Sequence, residues 1–358
     1  MAKLFGKKYT RKELLKHVGD ISQLAGVRLS ELKNGNEKGV SVADFNTGAG
    51  LRFTVVLDRG MNISFAEYKG IPLCWVSSTG VVNPGFYEPE GLGWLRTFNG
   101  GLLTTCGLTY LGSPCVDEGK NLGLHGRISH IPAKNVCVEG NWKNDDYIMS
   151  ARGNMRETSV MGENIQLTRE IKTNLGEKKL WINDTVENLG YSKTEHMHLY
   201  HINIGYPVVA NGSRWYSSSS QVIPRDSISE KNKNEYNVFS EPLQDVIENV
   251  FYHKVKTDKN GNTCVYIINE TLNDNNGFGV YVKYSPKQLP ELVQWKMMRQ
   301  GSYVVGIEPA ICRVGGRDQA RKEGTLKFLD SYEKKEYQLE IGMVTSRKEI
   351  EEIKKNVK

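Results

Sequence analysis

One histidine of the chain lies in a short polar turn flanked by glycines. His125 stands in LGLHGR between Gly123 and Gly126, and Arg127 follows two residues on. Glycines beside a histidine can let the backbone and the imidazole ring come close to a small polar ligand. The alternative is a structural turn histidine that binds nothing. The turn supplies His125 as a candidate site residue and Arg127 as a candidate substrate contact.

Three further histidines occur close together in TEHMHLYHINIGYP, residues 194–207. His196, His198 and His201 are of the residue type that commonly binds zinc or manganese. In an extended strand, however, His196 and His198 lie on one face, while His201 lies on the other face with Asn203. This parity predicts His201 and Asn203 as the pair that faces a site, with a metal-binding histidine cluster as the alternative.

A single carboxylate ends an apolar strand in YVVGIEPAICRVGGRDQAR. A carboxylate at the position of Glu308 is poorly solvated, so its pKa should rise towards the range that suits a general base. The alternative is a buried glutamate paired with Arg313, Arg317 or Arg321. Glu308 is the candidate base, and Arg317 is a candidate substrate contact.

An arginine and an asparagine stand in WLRTFNGGLL, within a segment rich in glycine, proline and aromatic residues that runs from Leu73 to Arg127. Long irregular segments of this kind are uncommon in compact domains and often carry function. Arg96 and Asn99 could present hydrogen-bond donors to ligand hydroxyls or to an anionic group. The alternative is an arginine that ties the loop to backbone carbonyls.

The elements that must position these residues are mostly strands. Short segments such as LRFTVVLD, IQLTREIKT and KKLWINDTVEN alternate apolar and polar residues, and glycine, asparagine and aspartate turns separate them. The pattern indicates an all-β class, with one large antiparallel β-sandwich domain over residues 27–345. Residues 1–26 are predicted to form a helical extension capped at Thr10, and residues 346–358 a charged helix capped at Ser346.

Composition narrows the function classes. The net charge of +6 is too small to argue for nucleic acid, and no stretch interleaves basic and aromatic residues. The six cysteines form no CxxC pair and are expected to be buried thiols. No apolar run is long enough to cross a bilayer. We expect a cytoplasmic protein that binds neither nucleic acid nor membranes, and a homodimer is left open.

The motifs, taken in order, resemble those of one family. LHG before the middle of the chain, YHINIG near the middle and GIEP near the end are similar to the motifs of the aldose 1-epimerases, or galactose mutarotase-like proteins. VLDRGMNISFAEYKGIPLCW, FNGGLLTTCGL and LGLHGRISHIPA indicate a divergent branch of that family. The resemblance implies a galactose mutarotase-like supersandwich with short terminal helices. It also implies a small-molecule sugar as the partner.

The resemblance further implies a chemistry and residue roles. The family interconverts the α and β anomers of sugars by acid–base ring opening, without metal or organic cofactor. His125 would bind and polarise the sugar near its ring oxygen, His201 would act as the general acid on that oxygen, and Glu308 as the base on the anomeric hydroxyl. Arg96 or, alternatively, Arg127 would grip the substrate.

Departures from the family pattern keep alternatives open. The family motif reads closer to H-x-Y-F-N than to HLYHIN, so His198 remains a rival to His201 as the acid. Asp226 in VIPRDS is the one guess for the aspartate that grips sugar hydroxyls. The other functions considered are a non-catalytic carbohydrate-binding or regulatory protein on the same fold and a metal-dependent sugar isomerase or lyase that uses HMHLYH.

The arginines also bear on the substrate. Together with the net charge of +6, they suggest a phosphate, sulfonate or carboxylate on the sugar. The arginines concerned are Arg96, Arg127, Arg317 and Arg321.

Overall fold

The computed structural model describes residues 1–357 and consists mainly of antiparallel strands. The strands, in chain order, are β1 (Ala2–Leu4), β2 (Lys7–Tyr9), β3 (Gly26–Glu31), β4 (Ser41–Asn46), β5 (Leu51–Val56), β6 (Asn62–Tyr68), β7 (Ile71–Pro72), β8 (Thr104–Leu108), β9 (Cys115–Asp117), β10 (Lys120–Leu122), β11 (Lys134–Lys143), β12 (Asp146–Thr158), β13 (Asn164–Asn174), β14 (Lys179–Asn188), β15 (Thr194–Gly205), β16 (Arg214–Ser217), β17 (Ser219–Pro224), β18 (Asn249–Val255), β19 (Thr263–Asn269), β20 (Phe278–Tyr284), β21 (Glu291–Arg299), β22 (Ser302–Ala310), β23 (Lys327–Leu329) and β24 (Lys334–Val344). The α-helices are α1 (Arg11–Leu15), α2 (Ser227–Lys231), α3 (Arg317–Lys322) and α4 (Arg347–Asn356).

Two large sheets form the body of the molecule. One has eight strands in the order β11-β12-β13-β14-β24-β20-β19-β16. The other has seven strands, with β17-β18-β21-β22-β15-β23 in sequence and β8 also paired with β15. A five-stranded sheet, β3 to β7, completes the architecture. The predicted all-β antiparallel sandwich is confirmed.

Alternation along the strands explains how the sheets pack. In β13 and β14 every second residue is buried, and Leu167 pairs with Val186 and Ile171 with Ile182 across the hairpin. Such alternation places one face of a strand in the core and the other towards solvent. Strand β15 is buried on both faces, because one face meets the eight-stranded sheet and the other forms part of the site described below.

The chain ends differ from each other in how well the sequence predicts them. Residues 1–26 begin with the hairpin β1–β2, so the predicted helical extension is wrong for this part, and the only α-helix there is the five-residue α1. Thr10 does cap α1, as predicted. Helix α4 is confirmed, and its Ser346 side chain accepts a hydrogen bond from the Glu349 backbone N–H.

The irregular segment between Leu73 and Arg127 crosses one face of the seven-stranded sheet. It contains two 3₁₀ turns, Pro84–Phe86 and Gly93–Thr97, and three short strands, β8 to β10. Strand β8 pairs with β15, which fixes the segment beside the centre of the sheet. Among residues 1–357, no helix is long and apolar enough to span a membrane.

Candidate active site

His201 and Glu308 occupy opposite positions on neighbouring strands. Leu199 pairs with Ala310 and Ile202 with Ile307 between β15 and β22, and this register brings His201 opposite Glu308. On the other side of β22, Glu308 pairs with Val293 of β21. Cross-strand partners in an antiparallel pair point to the same face. The register therefore places an imidazole and a carboxyl group side by side on the face of the seven-stranded sheet.

The two side chains are in contact and nearly inaccessible to solvent. His201 Nε2 lies 3.1 Å from Glu308 Oε1, and the side chains are 7% and 3% exposed. Burial, and to a smaller extent the nearby His125, lowers the pKa of His201 to about 3. Burial raises the pKa of Glu308 well above its usual range. Since each group resists its charged form, the pair holds a single proton over the intervening pH range.

Gly306 provides the space that the Glu308 carboxyl group occupies. The two residues lie on the same face of β22, two positions apart. A Cβ atom at position 306 would overlap Glu308 Oε1 and would lie 3.0 Å from Cβ of Trp295 on β21. The glycine in GIEP thus lets the carboxyl group turn back over its own strand.

His125 forms the opposite wall of the site. Its φ of 56° lies in the left-handed region, and its backbone N–H donates to the Gly112 carbonyl oxygen at 3.1 Å. The ring lies 6.0 Å from the ring of His201, measured between centroids, and burial lowers the pKa of His125 to about 4. Its Nδ1 is buried without a hydrogen-bond partner in the described chain. His125 is therefore a neutral imidazole that faces the same space as His201.

The glycines around His125 serve packing rather than ligand approach. A Cβ atom at Gly126 would overlap the carbonyl oxygens of Gly107 and Tyr110, and one at Gly123 would overlap that of Pro89. The turn is thus held against two neighbouring segments. The expectation that these glycines let a ligand approach is therefore wrong. Their role is to let the turn pack closely against its neighbours, which fixes the position of His125.

Aromatic rings complete the walls of a cavity of about 510 Å³. Trp94, Phe98 and Trp295 line it together with His125, His201 and Glu308. Phe98 and Trp295 each lie 5.3 Å from the His201 ring, and Trp94 lies 4.8 Å from the His125 ring. A volume of this size is typical of small-molecule sites.

A charged pair at one side of the cavity was not predicted from the sequence. Arg225 Nη2 donates to Glu248 Oε1 at 2.9 Å, and Trp295 Nε1 donates to Glu248 Oε2 at 2.7 Å. Arg225 follows β17 and Glu248 precedes β18, so the pairing of these strands brings them together. Neither residue stands in a recognisable motif. The adjacent guess, Asp226, instead caps α2 and pairs with Arg225 Nε at 2.9 Å.

A buried hydrogen-bond network supports Trp94 from behind. Arg59 is 1% exposed and its Nη2 lies 3.0 Å from His130 Nε2. Because arginine only donates, His130 Nε2 is the acceptor and Nδ1 carries the proton. That Nδ1–H points to Ser129 Oγ at 3.1 Å, and Ser129 Oγ also accepts from Trp94 Nε1 at 3.1 Å. The network fixes the indole ring that contacts His125.

The other residues predicted to bind substrate lie outside this cavity. Arg96 is exposed and pairs with Glu88 at the surface. Asn99 is buried, and its carbonyl oxygen accepts from Ser77 N–H. Asn203 is also buried, and its Nδ2 donates to the carbonyl oxygens of Gly101 and His201.

Arg127 and Arg317 line a different cavity, described below. Glu308 also forms no ion pair with Arg313, Arg317 or Arg321, which was the structural alternative for this residue. Arg313 pairs with Glu291, while Arg317 and Arg321 pair with Asp117.

His196 and His198 face the interior between the two large sheets. His196 Nε2 lies 2.8 Å from the Tyr337 hydroxyl oxygen, and the His198 ring stacks 5.1 Å from that of Tyr337. The predicted division of the three histidines between the two faces of β15 is confirmed. His198 lies on the face of the sheet opposite to the one that carries His201 and Glu308. Three histidines divided between two faces of one strand cannot bind a single metal ion, which corrects the metal reading of HMHLYH.

One other group of side chains within residues 1–357 has a spacing compatible with a cation. Asp117, Glu118 and Glu195 bring carboxylate oxygens within 4.8 Å of one another. Arg321 contacts all three carboxylates, and Arg317 pairs with Asp117 at 2.7 Å. Each of the three carboxylates is therefore already occupied in an ion pair with one or both guanidinium groups.

Fold and site together define a protein of the galactose mutarotase-like class. A structure of a proposed aldose 1-epimerase from Klebsiella pneumoniae is 25% identical, with a TM-score of 0.87, over 94% of this chain and 89% of its own. A galactose mutarotase-like protein from Clostridium acetobutylicum (16% identity, TM-score 0.61, 90% and 99% of the two chains) shares the fold. So does a galactose 1-epimerase from Lactobacillus acidophilus (11%, TM-score 0.58, 90% and 99%).

The chain belongs to the family described as Domain of unknown function (DUF4432), whose model matches residues 37–343. No curated protein matches the sequence. The resemblance to the galactose mutarotase-like fold, stated from the short motifs alone, is confirmed by the structural neighbours.

Proposed function

We propose that this protein is a sugar mutarotase that interconverts the α and β anomers of an aldose by acid–base catalysis. The observation that carries the proposal is the contact of His201 Nε2 and Glu308 Oε1, 3.1 Å apart, between two side chains that are only 7% and 3% exposed in the lining of the cavity. Mutarotation needs one group that removes a proton and one that supplies a proton at the same time. A pair that holds one proton between a carboxyl group and an imidazole has the correct total charge for both tasks.

The reaction follows from that shared proton. With the sugar bound, the shared proton passes from Glu308 to His201 across their 3.1 Å contact. Glu308 as carboxylate then takes the proton of the anomeric hydroxyl while His201 as imidazolium donates a proton to the ring oxygen. The bond between C1 and the ring oxygen breaks, and a carbonyl group forms at C1. Rotation about C1–C2 presents the other face, and ring closure reverses both proton transfers. The pair returns to its starting state, and no atom is gained or lost.

The remaining walls would bind and orient the sugar. His125 is neutral because burial lowers its pKa to about 4, so it can donate one N–H to the ring oxygen or a neighbouring hydroxyl. Trp94 and Trp295 offer apolar faces to the sugar ring. Glu248 has lone pairs beyond its bonds to Arg225 and Trp295, and these can accept hydrogen bonds from sugar hydroxyls.

The charges at the cavity favour an uncharged sugar. Arg225, the one arginine that lines it, pairs with both Asp226 and Glu248. A guanidinium group already engaged by two carboxylates attracts an anionic substituent weakly. The arginines that suggested a phosphate, sulfonate or carboxylate on the sugar lie elsewhere. The names of the Klebsiella and Lactobacillus proteins support the reaction class for this chain.

The proposal is tested by anomer exchange. Saturation-transfer NMR on purified protein is run over a panel of neutral, deoxy, acidic and phosphorylated aldoses. We expect exchange for at least one neutral sugar. Glu308→Gln should lower that rate by roughly 10²–10⁴-fold, because the amide cannot accept the hydroxyl proton.

A matched control separates catalysis from packing. Glu157 is equally buried at 3% exposed and lies outside the cavity, so Glu157→Gln should leave exchange intact. Binding of a sugar without exchange by the wild type would instead support a non-catalytic carbohydrate-binding protein. Near-normal exchange in Glu308→Gln would show that Glu308 is not the base.

A further inference from the structure

A second cavity lies directly behind the turn that carries His125. It has a volume of about 430 Å³, which is within the range of small-molecule sites. Leu122 and Arg127 line this second cavity, whereas Leu124 and His125 line the catalytic one. The segment after β8 is divided in the same way, with Tyr110 on the second cavity and residues 112–114 on the first. The two cavities therefore share a wall.

Positive charge predominates around the second cavity. Four cationic side chains line it against two carboxylates. The cationic residues are Lys120, Arg127, Lys193 and Arg317, and the acidic ones are Glu163 and Glu195. Glu195 is already bound by Arg321, with Nη2 2.5 Å from Oε1. Arg317 in turn pairs with Asp117 and lies 3.9 Å from Glu195 Oε2, and Lys193 pairs with Asp330 at 3.7 Å. The positive charge without a partner in the lining is therefore that of Lys120 and Arg127, and Arg317 contributes a free donor rather than a free charge.

The cationic groups have donors to spare. Arg317 is 3% exposed; its Nε donates to Asp117 at 2.7 Å and its Nη1 to the Thr109 carbonyl oxygen at 3.3 Å. Its Nη2 has no hydrogen-bond partner in the described chain. The side chains of Lys120 and Arg127 make no ion pair or hydrogen bond with residues 1–357. An unpartnered donor on a buried guanidinium group is costly unless a ligand or water satisfies it.

An unpartnered acceptor lies in the same lining. Asn164 Oδ1 is buried without a hydrogen-bond partner among the described residues, while its Nδ2 donates to the Leu189 carbonyl oxygen at 3.3 Å. A bare anion would satisfy only the donors. A ligand that also carries a hydroxyl group would satisfy Asn164 as well.

From this placement we infer that the second cavity is a binding site for a phosphate group, held by Arg127, Lys120 and Arg317. Guanidinium groups match the geometry of phosphate oxygens, and ammonium groups add charge. The phosphate could be free or the ester of a small polyol, and the acceptor at Asn164 favours the ester. The inference does not rest on the mutarotase reaction, because it concerns a separate cavity and a separate ligand.

Calorimetric titration tests the site at constant ionic strength, with inorganic phosphate in one arm and glycerol 3-phosphate in the other. We expect saturable binding of one equivalent. Stronger binding of glycerol 3-phosphate would identify an ester as the ligand, and equal binding would identify free phosphate. Arg127→Gln and Lys120→Gln should each weaken binding by about tenfold, because each removes a charge-assisted contact.

Two control variants make the result decisive. Arg152→Gln removes a similarly exposed arginine on β12, away from both cavities, and should leave binding unchanged. Arg225→Gln removes the arginine of the catalytic cavity and should also leave it unchanged. The inference is overturned by a lack of saturable binding to the wild type. It is equally overturned if Arg225→Gln abolishes binding while Arg127→Gln retains it, or if Arg152→Gln weakens it as much as Arg127→Gln does.

Discussion

His201 and Glu308 face each other across two antiparallel strands, with the imidazole Nε2 3.1 Å from the carboxyl Oε1. Strands β15 and β22 are buried in the middle of a seven-stranded sheet, so the positions of both side chains are fixed by backbone hydrogen bonds rather than by a loop. Rigid placement of an acid and a base suits a reaction in which the two proton transfers must occur together. The predictions below follow from this arrangement and from the groups that support it.

Gly306→Ala should impair catalysis without unfolding the protein. The new methyl group would overlap Glu308 Oε1, so the carboxyl group must turn away from His201. We expect a lower kcat for anomer exchange, with a smaller change in KM. Gly19→Ala is the matched control, because a Cβ atom there meets nothing within 4 Å. Unchanged kcat in Gly306→Ala would show that the contact of Glu308 with His201 is not needed.

The rate of anomer exchange should stay high across neutral pH and fall at both ends. At low pH, His201 with a pKa of about 3 takes a second proton, and the pair then lacks a base. At high pH, Glu308 loses the last proton, and the pair then lacks an acid. Burial and the nearby Glu248 raise the pKa at which this happens, while Arg225 lowers it. Exchange measured by NMR against pH reports the fall at high pH, and it reports the fall at low pH over the range in which urea unfolding shows that the protein is still folded.

A variant at Glu248 tests whether Glu308 is the group whose titration lowers the exchange rate at high pH, the alkaline limb of the pH profile. Glu248→Gln removes a negative charge that raises the Glu308 pKa, so the alkaline limb should move to lower pH. A limb that does not move, or a wild-type rate that is already lost at the pH where an ordinary glutamate titrates, would count against Glu308 as the titrating group.

Local pattern predicted the fold and the pair of catalytic candidates. Alternation and parity depend only on neighbouring residues in one strand, so they placed His201 on the opposite face of β15 from His196 and His198, where the structure has it. The substrate-binding arginine could not be predicted in this way. Which arginine reaches the cavity depends on strand pairing and on competition among carboxylates. Arg96 is drawn to Glu88 at the surface, and Arg225 reaches the cavity because β17 pairs with β18.

The structure of the N-terminal segment also depends on contacts that a local sequence pattern does not reveal. The residues after Thr10 have helical spacing, and α1 does form, but the residues before Thr10 pair as the hairpin β1–β2. Ala2 and Leu4 are buried in the main core, so burial of two apolar residues determines the structure there. A local pattern carries no information about such a distant surface.

Acidification should destabilise the protein steeply below about pH 6.5. Loss of solvation lowers the pKa of six of the seven histidines, of which five are buried and His125 is half-buried: His125, His130, His196, His198, His201 and His253. They are neutral when folded and gain protons when unfolded, so each lowers the free energy of unfolding by about 1.4 kcal/mol per pH unit between its unfolded and folded pKa. Glu308 and Glu157 have raised pKa values and act in the opposite direction, but they are outnumbered.

Urea unfolding between pH 7 and pH 4 measures this dependence. His253 has a pKa lowered to about 4 and lies outside the cavity that His201 and Glu308 line, so His253→Gln should show a shallower loss of stability on acidification. His17→Gln alters an exposed histidine and should follow the wild type. A free energy of unfolding that is flat from pH 6.5 to pH 4 would contradict the assignment of neutral buried histidines.

Ser129→Ala should affect both stability and catalysis, because Ser129 Oγ accepts from Trp94 Nε1 and from His130 Nδ1. The substitution leaves two buried donors unpaired, at a cost of about 1–3 kcal/mol each. It also frees the indole ring that lies 4.8 Å from His125, so the rate of anomer exchange should fall.

Ser213→Ala is the control for the effect on stability alone. Ser213 is also fully buried, and its Oγ donates to the Val208 carbonyl oxygen and accepts from Ala210 N–H, far along the chain from Trp94. Urea unfolding should show a loss in both variants, whereas exchange at saturating sugar should fall only in Ser129→Ala. If both variants lose stability and neither loses activity, the Arg59–His130–Ser129 network supports the fold alone, and His125 keeps its position without Trp94.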